Sequence, residues 1–340
     1  MRKAIFYFCL AAMITLCGCA KTPKAGLNDA NKRYFDAWIK VHHPDAKPTA
    51  LGVYVLETQE GTGQQAGNSD TNPYVRLDLV QRNLDGAISY TNIEEVAKRL
   101  GTYKEGNYYG PEVWTRLAGV LPAGIEEVLS TMRVGGSAKF VMPGWLMTVD
   151  RYDTAEEYIA KVSGSDHSIY EFTLREVIPD IKKWETDSIG RYLATNKIPK
   201  SVGDSLKYGY YYIRTGEPSS TNEIPNDTTL YINYTGRLLN GTVFDTTVKD
   251  TAKFYGIYDA SKTYQPVSVT WFSFDEDYTK IQLGGSEVVD GFAYTLYQMH
   301  AHEKGTGIFY SGLGYKNSGS GDVIPGYAPL RFDIELVDAP

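Results

Sequence analysis

A chain of 340 residues is long for one small domain, and its 42% hydrophobic content is enough for real cores, so two compact bodies are expected. Lys and Arg total 34 against 41 Asp and Glu, a net charge of −7 with no basic stripe, which argues against a nucleic-acid partner. Tyrosine is abundant at 27 residues and supplies flat, half-buried contact area with a polar tip, suited to strands and binding surfaces.

In chain order, Arg2 and Lys3 precede an apolar run from Ala4 to Leu16. That run is too short to span a bilayer and reads as the core of a secretory signal. It ends in Leu16-Cys17-Gly18-Cys19, which resembles a bacterial lipoprotein signal. The resemblance implies cleavage before Cys19, lipidation of its thiol, and a body anchored by its N-terminus in the cell envelope, at the outer membrane. An ordinary signal with incidental cysteines is the alternative. Cys9 and Cys17 would leave with the signal, so no cysteine pair would remain for a disulfide. The divisions expected are a signal over 1–18, a tether over 19–31, a first domain over 32–180 and a second over 181–340. Ala20 to Asn31 is small and polar, as a tether should be.

An internal repeat organises the rest. Leu51–Leu56 resembles Tyr208–Ile213 at an offset of 157, Asp85-Gly86 matches Asn240-Gly241 at 155, Gly124 and Met132 match Gly291 and Met299 at 167, and Phe172 matches Phe332 at 160. The drift predicts an insertion near 246–280 in the second copy and a smaller one near 149–168 in the first. Apolar residues three to four apart predict a helix before each copy, around Tyr34–Ile39 and Ile189–Ala194, ended by Pro44 and Pro48 and by Pro199. Leu230, Ile232 and Tyr234 alternate with polar neighbours, as do Phe332, Ile334 and Leu336, which predicts strands with one buried face. A short helix follows Gly124 in the first copy and Gly291 in the second. The fold class expected is α+β: in each domain a bent antiparallel sheet wrapped on one short helix.

Leu283-Gly284-Gly285-Ser286-Glu287-Val288-Val289-Asp290-Gly291-Phe292 carries the sharpest signal, together with Asn233–Asp245, Tyr315, Ile324-Pro325 and Leu330–Leu336. In order and spacing these segments resemble the FKBP-type peptidyl-prolyl cis-trans isomerases over residues 209–338, and more faintly over 52–178. The resemblance implies a proline pocket walled by Tyr234, Phe244, Asp245, Val288, Val289, Phe292, Tyr315, Ile324 and Phe332. In it Phe244, Val288, Val289, Phe292 and Phe332 would grip the pyrrolidine ring. Tyr315 would donate its hydroxyl to a substrate carbonyl, the backbone N–H of Ile324 would hold a second carbonyl, and Asp245 with Tyr234 would orient the pocket. Taken singly, such residues are more often core than site, and Asp245 alone reads equally well as a turn cap. The substrates implied are proline-containing polypeptides, and no cofactor is called for.

Phe292 stands where the family has Trp, and Thr279-Lys280-Ile281-Gln282-Leu283-Gly284 lacks its second aromatic. The segment 246–280, with Tyr255, Tyr258, Tyr264, Trp271, Phe272, Phe274 and Tyr278, reads as an extra wall, a lid, a partner surface, or packing against the first copy. His300 and His302 read as a surface turn rather than a metal site, since no third ligand is suggested. In the first copy Leu79 replaces Tyr234, Ile88-Ser89 replaces Phe244-Asp245, Leu121-Pro122 replaces Val288-Val289, Ile125 replaces Phe292 and Thr148 replaces Tyr315. That copy is expected to be non-catalytic. The competing reading for the whole chain is a non-catalytic binder of peptides or envelope proteins; a carbohydrate binder has only the aromatic richness behind it.

Overall fold

The computed structural model describes residues 26–164, 166–198, 208–220, 222, 224–272 and 281–338. The signal, Cys19 and most of the tether lie outside the described residues, as do Pro199, Phe274, Tyr278, Thr279 and Lys280.

The chain opens with helix α1 (Asp29–His42). The tether was expected to run to Asn31, but folded structure begins sooner. The Asn28 side chain is buried and donates to the carbonyls of Ile159 and Val162 at 2.8 and 2.6 Å, which pins the chain before the helix starts. Strands β1 (Tyr54–Gln59), β2 (Tyr74–Asn83) and β3 (Ile88–Thr91) follow, then α2 (Glu94–Leu100), β4 (Glu112–Thr115), α3 (Ala123–Thr131) and β5 (Ser137–Met142). Helix α4 (Ala155–Lys161) and β6 (Ser168–Ile178) complete the first copy. The sheet order is β1-β5-β6-β2-β3, with β4 also on β2, every pair antiparallel. Ile125, Val128 and Leu129 of α3 are buried in the same core as Leu77, Leu79, Phe140 and Phe172, while Phe35 of α1 packs edge-on against Trp145.

The second copy repeats this plan. Helix α5 (Ile181–Thr195) leads into β7 (Tyr210–Gly216), β8 (Thr228–Leu238), β9 (Val243–Thr246), α6 (Lys249–Phe254) and β10 (Val267–Trp271). The hairpin β11 (Gln282–Leu283) and β12 (Ser286–Glu287) precedes α7 (Asp290–Tyr297), β13 (Lys304–Phe309) and β14 (Leu330–Val337). The sheet order is β12-β11-β10-β8-β14-β13-β7, with β9 also on β8. Helix α5 buries Ile189 and Leu193 against Ile308 of β13. The α+β expectation therefore holds, with antiparallel sheets and seven helices among the described residues.

Strand register aligns the copies more finely than the sequence did, and it corrects three expectations. Val80 pairs with Thr91 as Thr235 pairs with Thr246, and a bulge follows at the same place in both copies. The partners of Phe244 and Asp245 are therefore Ser89 and Tyr90, not Ile88 and Ser89. Gln81 pairs with Tyr170 as Gly236 pairs with Phe332, so Tyr170, not Phe172, stands for Phe332; α4 lengthens the first copy just before this strand. Finally, β4 pairs with β2 in the register that β10 uses on β8, which extends the offset of 155 through Trp271. The extra chain of the second copy thus lies between Trp271 and Asp290, later than the expected 246–280.

Much of the segment expected to be an insertion has a close counterpart in the first copy. Tyr103 stacks on Tyr109 at 5.1 Å, and Tyr258 stacks on Tyr264 at 5.3 Å. Tyr109 accepts the N–H of Lys104 on its hydroxyl as Tyr264 accepts that of Asp259, and Lys98 and Lys253 sit over Tyr103 and Tyr258. The same loop, closed by the same pair of rings, is built twice.

The copies touch. The Tyr108 N–H donates to the Asp322 carbonyl at 2.8 Å, and Tyr327 meets the Thr115 hydroxyl at 2.7 Å and the Tyr74 ring edge-on at 5.4 Å. Tyr327 holds φ at 60°, the left-handed region that non-glycine residues avoid.

One buried ion pair fastens the first copy. The Arg116 side chain is fully enclosed; it donates to the Glu126 carboxylate at 2.6 and 2.9 Å and to the carbonyls of Ala66, Gly67 and Asn72. Glu126→Ala would strand this guanidinium, and a buried charge without its partner costs about 3–5 kcal/mol. Denaturant unfolding should show that loss, with a smaller one for Glu126→Gln.

Candidate active site

The site is assembled around Phe332 on β14. Its ring packs edge-to-face with Phe292 at 5.1 Å and Phe244 at 5.7 Å, and Tyr234 lies at 6.2 Å. Phe309, which sequence reasoning missed, stacks parallel to Phe332 at 5.9 Å. Each aromatic pair contributes about 0.5–1.5 kcal/mol beyond simple burial. The alternation of β14 turns Phe332, Ile334 and Leu336 inward together. Phe292 faces them from the first turn of α7, where Gly291 makes the approach possible: a Cβ there would lie 2.3 Å from the Phe309 ring. Gly236 does the same on β8, where a Cβ would lie 2.4 Å from the Phe244 ring.

The nine expected pocket residues gather here as a floor and a rim. Phe292, Ile324 and Phe332 are buried, whereas Tyr234, Phe244, Asp245, Val288, Val289 and Tyr315 are half-buried around them. Asp245 accepts the Tyr234 hydroxyl at 2.6 Å and the Thr246 N–H at 3.0 Å, and Lys262 lies 3.6 Å from its other edge. Burial and the Asp245 charge push the phenols of Tyr234 and Tyr315 up, so both remain protonated donors at neutral pH. Tyr234 spends its proton on Asp245. The Tyr315 hydroxyl has no partner among the described residues.

One expected role needs correction. The Ile324 N–H already donates to the Ser320 carbonyl at 3.1 Å within a tight turn, so Ile324 contributes its side chain to the wall and no free donor. The open donor is the N–H of Val289, which has no partner among the described residues. Val289 caps the N-terminus of α7, where backbone N–H groups lack intrahelical partners by construction. The sequence offers Val289 only as a ring-gripping side chain; the helix start is the signal that marks its backbone. At the equivalent cap in the first copy stands Pro122, which has no N–H at all. Leu79 and Ile125 fill that copy's interior, and Ser89, Tyr90 and Thr148 take the remaining positions. The first copy assembles no aromatic cup.

His300 and His302 diverge, the first onto Glu303 at 3.1 Å and the second onto Asp338 at 2.5 Å. No cluster of three metal-ligating side chains occurs among the described residues.

The turn bearing Tyr315 is tied to α5. The Glu185 carboxylate is buried and accepts the Ser311 N–H at 2.6 Å and its hydroxyl at 2.8 Å. Burial pushes its pKa up to about 7, against the lowering effect of those two hydrogen bonds.

Residues 220–337 match the model of the FKBP-type peptidyl-prolyl cis-trans isomerase family. The chain carries an FKBP-type domain there. A macrophage infectivity potentiator of Trypanosoma cruzi is 26% identical over 149 residues, covering 44% of this chain and 62% of the relative. FK506-binding protein 2 of Dictyostelium discoideum is 32% identical over 108 residues, covering 32% of this chain and 62% of the relative. The chain thus spans about three-fifths of the length of these curated relatives. Among solved structures, the three FKBP domains of wheat FKBP73 align with 84% of this chain and 94% of theirs at 15% identity, with a TM-score of 0.29.

Two measurements test the packing. Gly236→Ala would force the Phe244 ring off the sheet, at about 1–3 kcal/mol for overpacking, and should disorder the cup by NMR line shapes. For Glu185, the folded pKa lies above the ordinary 4.5, so the folded chain binds the extra proton between pH 4.5 and 7. Stability should fall as pH rises through that window, by on the order of 3 kcal/mol, and Glu185→Gln should flatten this part of the profile.

Proposed function

We propose that this chain is a peptidyl-prolyl cis-trans isomerase and folding helper, with its active site in the second copy, and that lipidated Cys19 holds it in the bacterial cell envelope. The observation that carries the reading is the aromatic cluster around Phe332, with two unspent donors on residues packed against it, the Tyr315 hydroxyl and the Val289 N–H.

The chemistry needs no nucleophile. An X–Pro bond rotates slowly because amide resonance must be broken, with a barrier of roughly 18–20 kcal/mol. In the twisted transition state that resonance is lost and the carbonyl is less polar, so a water-poor slot disfavours it less than the planar ground state. Catalysis is then differential binding of the twisted form. Phe244, Phe292 and Phe332 would hold the pyrrolidine ring, with Val288 and Val289 closing over it. Tyr315 and the Val289 N–H would fix carbonyls on either side of the rotating bond, so that the rest of the chain turns about it. Asp245 and Tyr234, already bonded to each other, would present a fixed polar edge to the group that swings past. The first copy, with Pro122 and Ile125 in place of Val289 and Phe292, would contribute no rate.

Exchange spectroscopy on an X–Pro peptide with the whole chain tests this. Tyr315→Phe should lower kcat/KM about five- to tenfold, the worth of one hydrogen bond. Val289→Pro should lower it at least as much: φ at Val289 is −69°, which proline adopts, so the change leaves the cap geometry in place while removing the donor together with the valine side chain. Wild-type exchange no faster than the uncatalysed rate, with peptide still bound, would leave a binding module instead.

A further inference from the structure

The contact between the copies leaves a cleft of about 470 Å³. One wall is the first copy, with Tyr90, Tyr108, Tyr109 and Trp114; the other is the turn of the second copy from Asn317 to Gly326. Among the described residues two carboxylates line it, Glu112 from the first copy and Asp322 from the second, and no lysine, arginine or histidine does. Glu112 accepts the Tyr90 hydroxyl and, at 3.3 Å, the Trp114 Nε1–H. The Asp322 carboxylate takes no hydrogen bond or ion pair from a described residue. Both charges bear on the Tyr90 phenol, whose pKa is raised by burial first, then by Glu112 and by Asp322. The two acids therefore act on one small volume, although they come from different copies.

Ring faces carry negative potential and attract cations, the more so beside carboxylates. A cleft with four such rings, two acids and no base is complementary to a positive charge on an apolar stem. Ile324 belongs both to the lining of this cleft and to the core that forms the aromatic cup, so the two hollows share a partition.

We propose that the cleft is a second subsite for the same polypeptide, taking a lysine or arginine side chain near the proline held in the cup. This rests on the isomerase reading for the location of the proline, but binding and rotation can be measured apart. The chain would then favour basic segments around its X–Pro bonds, and the first copy would supply recognition in place of rate.

The test is a panel of X–Pro peptides in which one lysine, or the uncharged isostere norleucine, is walked through the positions flanking the proline. Affinity is read by calorimetry and exchange by NMR, on the whole chain. At one or two positions lysine should bind about three- to tenfold tighter than norleucine, an advantage that shrinks in high salt. Asp322→Asn should reduce the lysine-to-norleucine ratio, and Asp322→Lys should invert it. Glu112→Gln with Asp322→Asn should bring the ratio to one. Butylammonium added alone separates the sources of the cation: competition only at concentrations far above the peptide's assigns the subsite to a chain-borne charge, whereas equal potency would overturn the polypeptide assignment. Equal affinity for lysine and norleucine at every position would overturn the proposal. Binding that prefers lysine without any exchange would sink the isomerase reading and leave the cation subsite standing.

Discussion

The second copy depends on the packing of rings around Phe332. Four aromatic side chains from four elements meet it: Tyr234 from β8, Phe244 from β9, Phe292 from α7 and Phe309 from β13. Rings prefer edge-on or offset contact, which leaves gaps at the corners rather than a filled block. Phe292, Phe309 and Phe332 are buried in this cluster, whereas Tyr234 and Phe244 are half-buried at its edge. Gly236 and Gly291 set how closely the rings approach, so the shape of the cup is fixed by backbone as much as by side chains.

The first copy shows the same scaffold without that cluster. Its interior is closed by Phe140, Tyr170 and Phe172, with Phe140 standing where the second copy has Gly307 packed closely against Thr295 of α7. Bulk has moved from the rim into the floor. The bulge, the two stacked-tyrosine loops and the short helix all persist, because each is set by local chain chemistry rather than by what the pocket holds.

Much of this was legible in the sequence, for physical reasons. Period-two alternation marked the strands that carry Tyr234 and Phe332, and the glycine before Phe292 marked a helix start. What escaped reading depended on register and on backbone donors. A bulge shifts pairing by one residue without changing any letter, so Ile88-Ser89 and Ser89-Tyr90 look equally good from sequence. Whether the N–H of Ile324 or of Val289 is free depends on a turn hydrogen bond to Ser320 that no composition rule reports. The cleft between the copies joins residues more than two hundred positions apart, and no periodicity signals it.

Tyr327 carries a consequence for anyone who divides this chain. A tyrosine in the left-handed region costs about 1–3 kcal/mol; its own copy offsets part of that through the Tyr327 N–H bond to the Lys316 carbonyl, and the other copy adds the ring of Tyr74 and the hydroxyl of Thr115. Cut the chain between the copies and the contacts from the first copy go, leaving the turn from Asn317 to Gly326 held by its own backbone bonds alone. Ile324 rides on that turn. An excised C-terminal fragment would then fold with a slacker wall, and its behaviour would understate what the undivided molecule can do.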